Sequence, residues 1–294
     1  MGLEQQLPRP GGAARVMRIM YLLTRRVPDA PSPVLREVNA RLSRRGHVVD
    51  GWIPEDRLDR ADTFMPAADL YVLKSHTELA LSLAGVLHAQ GVRLLNPYLG
   101  CLAAQDKITA SQRMRSAGVP TAATWVTGDL TQAAGLLDDG PLVVKPHRGH
   151  RGTGVHIIRR PEELSALPSP RTPVVVQRYV PGPGEDLKVY VAGEHVFAVR
   201  KRFDADSFTR PGRSVPVSRA VRAAAEGVRA AFGLDLFGID IVESPDGPVV
   251  VDVNYFPGYK GVPDAAPKIA AVIADYADYA EYVDYAGGAA AQAS

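Results

Sequence analysis

The stretch Val250-Val251-Asp252-Val253-Asn254-Tyr255 constrains this chain more than any other segment. An apolar run carrying a carboxylate and an amide two positions apart reads as a strand. Its alternation sends Asp252 and Asn254 to one face and Val251 and Val253 to the other. Upstream, Phe237-Gly238-Ile239-Asp240-Ile241-Val242 reads as a second strand, and Glu243-Ser244-Pro245-Asp246-Gly247-Pro248 between them holds the residues of a tight turn. Folding the hairpin about Asp246-Gly247 sets Asp240 opposite or diagonal to Asp252 and Asn254, within one residue of register. Three oxygen donors on one face suit a hard divalent cation such as Mg²⁺.

At 294 residues, the chain is long enough for more than one core. Its net charge of +2 gives no global field to attract nucleic acid or a membrane surface, and no apolar run reaches the ~20 residues of a transmembrane helix. The single cysteine, Cys101, sits among apolar neighbours. It rules out an internal disulfide framework, reads as buried and inert, and fits a reducing cytoplasm. Residues 1–15 are polar, rich in Pro and Gly and without a signal-like core, and are expected to form a disordered extension.

Strand and helix signals alternate at the start. Residues 16–24 read as a strand. Ser32-Pro33 opens an amphipathic helix through Val34, Leu35, Val38 and Leu42, stopped at Gly46. Strands at 69–73 and 92–95 flank a helix at 78–90, which predicts a parallel α/β layer over residues 16–98. A helix over 102–117 opens a second region, followed by strands at 121–126, 142–145 and 155–158. From Val174 strands dominate, at 174–179, 187–192, 195–202 and in the hairpin, interrupted by a helix over 217–232. The end repeats an acid–tyrosine pair every three residues, from Asp275-Tyr276 to Asp284-Tyr285, and reads as a solvated helical extension.

A phosphate-binding reading rests on Val143-Val144-Lys145-Pro146, a strand ending in a lysine, followed by His147-Arg148-Gly149-His150-Arg151-Gly152-Thr153-Gly154. Glycine allows backbone N–H groups close approach to phosphate oxygens, and Lys145, Arg148 and Arg151 add positive charge. The spacing is neither GxxxxGK[ST] nor GxGxxG. Lys107 opens a helix surface, and Val174 to Val180 forms a buried-type strand whose edge can offer backbone groups of Arg178 and Val180 to a planar base.

In order, the chain presents Asp106-Lys107, Lys145, the 149–154 loop, Gln177-Arg178-Tyr179-Val180, Asp240, and Asp252-Val253-Asn254. This ordered set resembles the ATP-grasp superfamily over residues 17–280. The resemblance implies a mixed α/β and α+β ATP-grasp fold of three lobes, with ATP between the central and C-terminal lobes. The expected divisions are a 1–15 extension, a 16–98 substrate lobe, a 99–176 central lobe, a 177–280 lobe with the metal site, and a 281–294 tail. Lys107 and Lys145 would contact phosphates, with Gly149, Gly152 and Gly154 in the loop over them. Gln177, Arg178, Tyr179 and Val180 would hold the adenine, and Glu185 or Asp186 would sit near the ribose. Asp240, Asp252 and Asn254 would hold Mg²⁺, or Mn²⁺ in its place; ligases of the superfamily usually have Glu at the position of Asp252.

Two branches share further residues with this chain. The segments 255–262, 188–194 and 69–78, with His150, Gly152, Thr153 and His156, resemble the inositol tris/tetrakisphosphate kinases. Asp186-Leu187-Lys188 and Lys201-Arg202 resemble the ribosomal-protein glutamate ligases (RimK-like), with Lys188 where the ligases have Arg. The expectation carried forward is a kinase-like enzyme transferring the γ-phosphoryl group of ATP to a small anionic or polyol substrate. Its alternative is a carboxylate–amine ligase acting through an acylphosphate. Lys188, Arg202 and His156 are the implied catalytic contacts, and Lys74, Lys201 and Gly258 the implied substrate contacts. The expected partners are ATP and one small molecule, with neither nucleic acid nor membrane, and no oligomeric state follows.

Overall fold

A computed structural model describes residues 16–25, 32–149, 153–202 and 212–291, with side chains through Asp278 except that of Arg202. The expected 1–15 extension and Gly152 lie outside these residues. The chain opens with β1 (Arg18–Leu22), α1 (Pro33–Arg44), β2 (Val48–Trp52), β3 (Leu70–Leu73), α2 (Glu78–Ala89) and β4 (Leu94–Leu95). The four strands form a parallel sheet in the order β2-β1-β3-β4. Ser32 caps α1 by accepting the Leu35 N–H, and Leu35, Val38 and Leu42 form its buried stripe. Strand β2 was not expected from sequence, because Asp50 and Gly51 dilute its apolar pattern.

The helix expected over 102–117 is two helices, α3 (Tyr98–Gln105) and α4 (Lys107–Ser116). Asp106 divides them with extended backbone, and its carboxylate accepts the N–H groups of Ile108 and Thr109. The break places Lys107 at the first position of a new helix. Next come β5 (Thr124–Thr127), β6 (Leu142–Pro146), β7 (His156–Ile158), α5 (Pro161–Ser165) and β8 (Val174–Arg178), whose strands pair antiparallel in the order β5-β8-β6-β7.

The third part comprises β9 (Glu185–Ala192), β10 (His195–Arg202), β11 (Arg213–Val215), α6 (Arg219–Phe232), β12 (Leu236–Ser244), β13 (Gly247–Tyr255) and α7 (Ala265–Ala291). Its antiparallel sheet runs β11-β10-β9-β12-β13. The tyrosine-rich end is helical, but its first pair is docked rather than solvated. Tyr276 donates its hydroxyl to Asp235 (2.6 Å), and Arg93 donates to the Tyr276 carbonyl (2.7 Å).

The cores do not divide as the sheets do. One cluster joins Leu22, Trp52 and Tyr71 of the parallel sheet to Leu187, Val189 and Phe237 of the five-stranded sheet. A second joins Ile19, Tyr21 and Leu70 to Tyr190, Phe256 and Ile273. Among the described residues, the four-stranded antiparallel sheet alone has its own small core, built on Leu142, Val144, Ile158, Leu164, Val174 and Val176.

Candidate active site

A two-residue turn, Pro245-Asp246, closes the β12–β13 hairpin, with Ser244 paired to Gly247. Continued without interruption, that register would set Asp240 against Val251. Instead an irregularity after Asp240 leaves Ile241 opposite Val250 and Asp240 opposite Asp252. Val251 is thus a bulge residue, and its carbonyl accepts the Lys145 ammonium at 2.9 Å. One extra residue therefore brings the two carboxylates together and supplies a contact to the neighbouring sheet. Asn254, two positions on, shares their face.

The row continues across the sheet. Lys188 on β9 is in register with Asp240 and donates to it at 2.8 Å, while Asp186 lies 4.0 Å from the same ammonium. Burial works against the Lys188 charge, but Asp240, by charge and hydrogen bond, and then Asp186 outweigh it, and its pKa lies above the ordinary lysine value. Burial raises the Asp186 pKa against the pull of Lys188. Tyr190, next on this face, is pushed up to about 12, first by burial and then by Asp240. Beyond it lies Gly238, where a Cβ would come within 3.1 Å of Pro257; the missing side chain lets the segment after β13 fold down beside Asn254.

Facing this row is the start of α4 and the end of β6. Lys145 is 7% exposed. Burial lowers its pKa and Lys107 adds to the effect, with Asp252 and Asp240 opposing. Lys107 donates through Nζ to the Gly149 carbonyl (3.0 Å), and its ammonium lies 3.6 Å from Asp252. Its backbone N–H bonds the His147 carbonyl at 2.8 Å, tying the helix start to the glycine loop. Gly154, at φ 73, is packed so that a Cβ would meet Pro146 at 3.3 Å. Arg148 turns away from the row, donating to Glu78 at 3.0 Å with its Nε 3.7 Å from Asp106.

On the base side, Gln177 is buried and donates to the Thr124 hydroxyl at 2.9 Å. Arg178 donates to the Leu136 and Gly140 carbonyls at 2.9 and 2.8 Å. The Tyr179 N–H bonds the Pro141 carbonyl at 3.0 Å. The Gln177 and Arg178 side chains are therefore committed to their own sheet and the segment leading into β6, which leaves backbone at the end of this edge, around Val180, as what it could offer a base.

Two implied contacts stand elsewhere than expected, and a third is not described. Lys74 donates to the carbonyls of Phe256 (2.9 Å) and Pro257 (3.2 Å) over the Phe256 ring, which makes it a tether for the segment after β13. His156 pairs with Val144, so it shares the face of Val144 rather than that of Lys145. Arg202 pairs through its backbone with Glu185, and its side chain lies outside the described residues. Lys201, by contrast, is opposite Asp186 on the face of the row and buried; burial, then Lys188 and Lys260, lower its pKa. Gly258 is exposed in the segment where Phe256 and Tyr259 have φ of 36 and 49, left-handed backbone of the kind that gathers at ligand sites.

Sequence reasoning missed two supports. The Tyr255 hydroxyl proton is shared between the Gln105 side-chain carbonyl (2.6 Å) and the Ser75 carbonyl (2.9 Å), with His76 stacked on its ring at 4.1 Å. Buried Asn96 donates to the Leu236 carbonyl (2.7 Å) and accepts the Asp235 and Leu236 N–H groups (both 2.9 Å), fixing the start of β12. The only signal for Asn96 was its position just past a strand, before Pro97.

Among the described residues, no three His, Cys, Asp or Glu side chains cluster as a metal site, and no helix is long and apolar enough to cross a membrane. The donor set here includes an amide, and lysines hold both of its carboxylates. Two carboxylates and an amide on one face remain the chemistry a hard cation takes.

A sequence profile of the RimK-like ATP-grasp domain matches residues 104–277. "Probable alpha-L-glutamate ligase 2" of Shewanella baltica is 28% identical over 231 residues, covering 72% of this chain and 77% of that protein. "Probable alpha-L-glutamate ligase 1" of Shewanella denitrificans is 31% identical over 193 residues, 60% of this chain and 65% of the other. Among solved structures, the RimK domain ATP-grasp protein of Sphaerobacter thermophilus superposes with a TM-score of 0.71 at 20% identity, over 88% of this chain and 99% of that one. D-cycloserine synthetase DcsG gives 0.68 at 20%, with the same coverage. These matches back the ligase alternative and lend no support to the inositol kinase resemblance. The chain belongs to the RimK-like ATP-grasp family and is an ATP-dependent enzyme.

Proposed function

We propose that this protein is a carboxylate–amine ligase that activates its acid substrate as an acylphosphate. The observation that carries the reading is the row Lys188–Asp240–Asp252, with Lys107 beside Asp252 and Lys145 on the bulge carbonyl. Cations and carboxylates alternate there without a covalent nucleophile, as suits phosphoryl transfer catalysed by positioning and charge neutralisation.

A substrate carboxylate oxygen attacks the γ-phosphorus, and the bond to ADP breaks with its electron pair leaving on ADP. The amine nitrogen then attacks the acyl carbon, the carbon–oxygen bond to phosphate breaks, phosphate departs, and the nitrogen loses its proton. Lys107 and Lys145 hold the transferring phosphates, with the amides of the loop from Gly149 to Gly154 over them. Backbone at Tyr179 and Val180 receives the adenine, and Asp186 the ribose. Lys188 steadies negative charge developing on the acylphosphate, and Lys201 holds the substrate's anionic end. Asp240, Asp252 and Asn254 would hold Mg²⁺, or Mn²⁺ in its place; the bound ion supplies charge neutralisation at the phosphates. The relatives' names make L-glutamate the first amine to test. A single cysteine, Cys101, buried with its thiol pKa pushed well up by that burial, fits a cytoplasmic enzyme.

³¹P NMR with Mg²⁺, ATP, L-glutamate and a panel of carboxylates tests the reaction. Release of ADP and free phosphate that requires both a carboxylate and an amine is expected. ADP with a stable new phosphate ester on a polyol would restore the kinase.

A further inference from the structure

We infer that the face of the five-stranded sheet turned away from the candidate active site carries a second binding site, for a small α-amino acid with an apolar side chain. An open cavity of ≈ 250 Å³ lies between β9, β10, β11 and the start of α6, lined by Leu187, Arg200, Arg213, Val215, Val221 and Glu243 among others. That is smaller than the ~300 Å³ at which pockets for drug-sized molecules begin, and it is of the scale of one amino acid.

The charges of the cavity are arranged oddly for a surface with no ligand. Register sets Arg200 directly opposite Arg213 on β11, and like charges directly opposite across a strand pair are destabilising. Arg200 has carboxylates of its own, Glu243 at 2.8 Å and Glu185 at 3.8 Å. Arg213 is exposed and has no ion pair among the described residues. Two guanidiniums and two carboxylates thus balance in sum but not in placement. A ligand carrying both signs on neighbouring atoms resolves this, its carboxylate taking the Arg213 fork and its ammonium sharing Glu243. Leu187, Val215 and Val221 then give its side chain an apolar floor.

These residues are separate from the catalytic row. Strand alternation places Leu187 and Arg200 on one face of the sheet and Asp186, Lys188 and Lys201 on the other. The two sites share β9: an occupant whose ammonium takes Glu243 loosens Arg200 from that carboxylate and leaves it to Glu185, on the strand that carries Asp186 and Lys188. The amino acid is therefore an effector at this cavity, not a reactant, and the inference stands whether or not the ligase reading does.

Calorimetric titration of the whole 294-residue chain with L-leucine tests it, beside 4-methylpentanoate, which lacks the ammonium, and 3-methylbutylamine, which lacks the carboxylate. Saturable binding of leucine is expected, with both analogues at least tenfold weaker. Arg213→Ala and Glu243→Gln should each weaken leucine at least tenfold and leave ATP turnover measured without leucine unchanged. Lys188→Ala, which removes a residue of the catalytic row, should leave leucine binding intact. Absence of leucine binding, equal binding of either analogue, or binding that survives Arg213→Ala and disappears in Lys188→Ala would each overturn the proposal.

Discussion

The two sheets that face each other across the candidate site are built differently. The four-stranded sheet carrying Lys145 packs on a small core of its own, whereas the five-stranded sheet carrying Lys188, Asp240 and Asp252 shares two cores with the N-terminal parallel sheet. Among the described residues, the four-stranded sheet and its lead-in reach the five-stranded sheet through few hydrogen bonds: Lys145 to the Val251 carbonyl, the Val250 N–H to the Pro120 carbonyl at 2.8 Å, and the Thr121 hydroxyl to the Val250 carbonyl at 3.0 Å. The half with the acids is anchored and the four-stranded sheet is lightly tied. On the proposed function, a nucleotide between them would meet anchored carboxylates on one side and, on the other, a small sheet with its own core.

The strongest way to break this comparison is at the anchored acids. Asp252→Asn removes one of the row's two opposed carboxylates without changing its shape. Turnover should fall by about 10²–10³-fold, the scale of losing one preorganised electrostatic group, with thermal unfolding near wild type. Normal activity would remove Asp252 from the site.

Next in size are the cores. Leu142→Ala and Ile239→Ala each empty a fully buried site and should cost about 2–5 kcal/mol. The two should differ in where that loss appears. Leu142→Ala should expose the amides of β5 to β8 to hydrogen exchange while the other sheets stay protected. Ile239→Ala should weaken the parallel and five-stranded sheets together. Identical exchange patterns in the two variants would mean that the halves unfold as one.

Much of the acid half was legible in the sequence because its signals are local. A turn of Pro, Asp and Gly between two alternating strands specifies a hairpin, and Asp240 lies opposite Asp252 within the residue of register allowed for. The bulge at Val251 was not legible, since nothing in a run of three valines says which one leaves the ladder. Strand parity explains the misplaced His156: its face depends on pairing with β6, which sequence does not specify. Lys74 was read by its charge, and its partners, the carbonyls of Phe256 and Pro257, lie far along the chain. The break at Asp106 was within reach, because Asp is a strong helix N-cap, but an unbroken helical pattern around it hid the cap. The fusion of the N-terminal sheet with the five-stranded sheet lies in contacts between distant segments, beyond what a local pattern carries.

A subtler test sets one lysine from each half against the other in metal-free, nucleotide-free protein. Burial holds the Lys145 pKa below the ordinary lysine value. Its charge therefore costs stability at neutral pH, and the cost fades as pH rises through the lowered pKa. Lys188 has its pKa raised. It contributes stability that is fully present below the ordinary lysine pKa and is lost as pH rises through the raised one. In thermal melts at neutral pH, Lys145→Met should match or exceed wild type and Lys188→Met should fall below it. Both differences should narrow as pH climbs past the ordinary lysine range. A Lys145→Met variant less stable than wild type at neutral pH would show that the Val251 carbonyl more than offsets the burial of that charge.

The smallest expected effect concerns the segment after β13, where the anchored half meets the N-terminal sheet. Lys74 was expected at the substrate, and the structure instead spends its ammonium on two backbone carbonyls of a segment with left-handed residues at Phe256 and Tyr259. If it is a tether, Lys74→Met keeps the stem over the Phe256 ring and loses only charge-assisted hydrogen bonds, worth about 1.5–3 kcal/mol together with any carbonyl left unpaired. Melting should drop by a few degrees, and hydrogen exchange should rise locally over residues 256–261. The KM for ATP should stay unchanged, and the KM for the acceptor should move less than tenfold. A substrate lysine behaves in the opposite way, with acceptor KM rising tenfold or more and melting unmoved. The two readouts therefore decide between a residue that holds the wall of the site and one that holds what enters it.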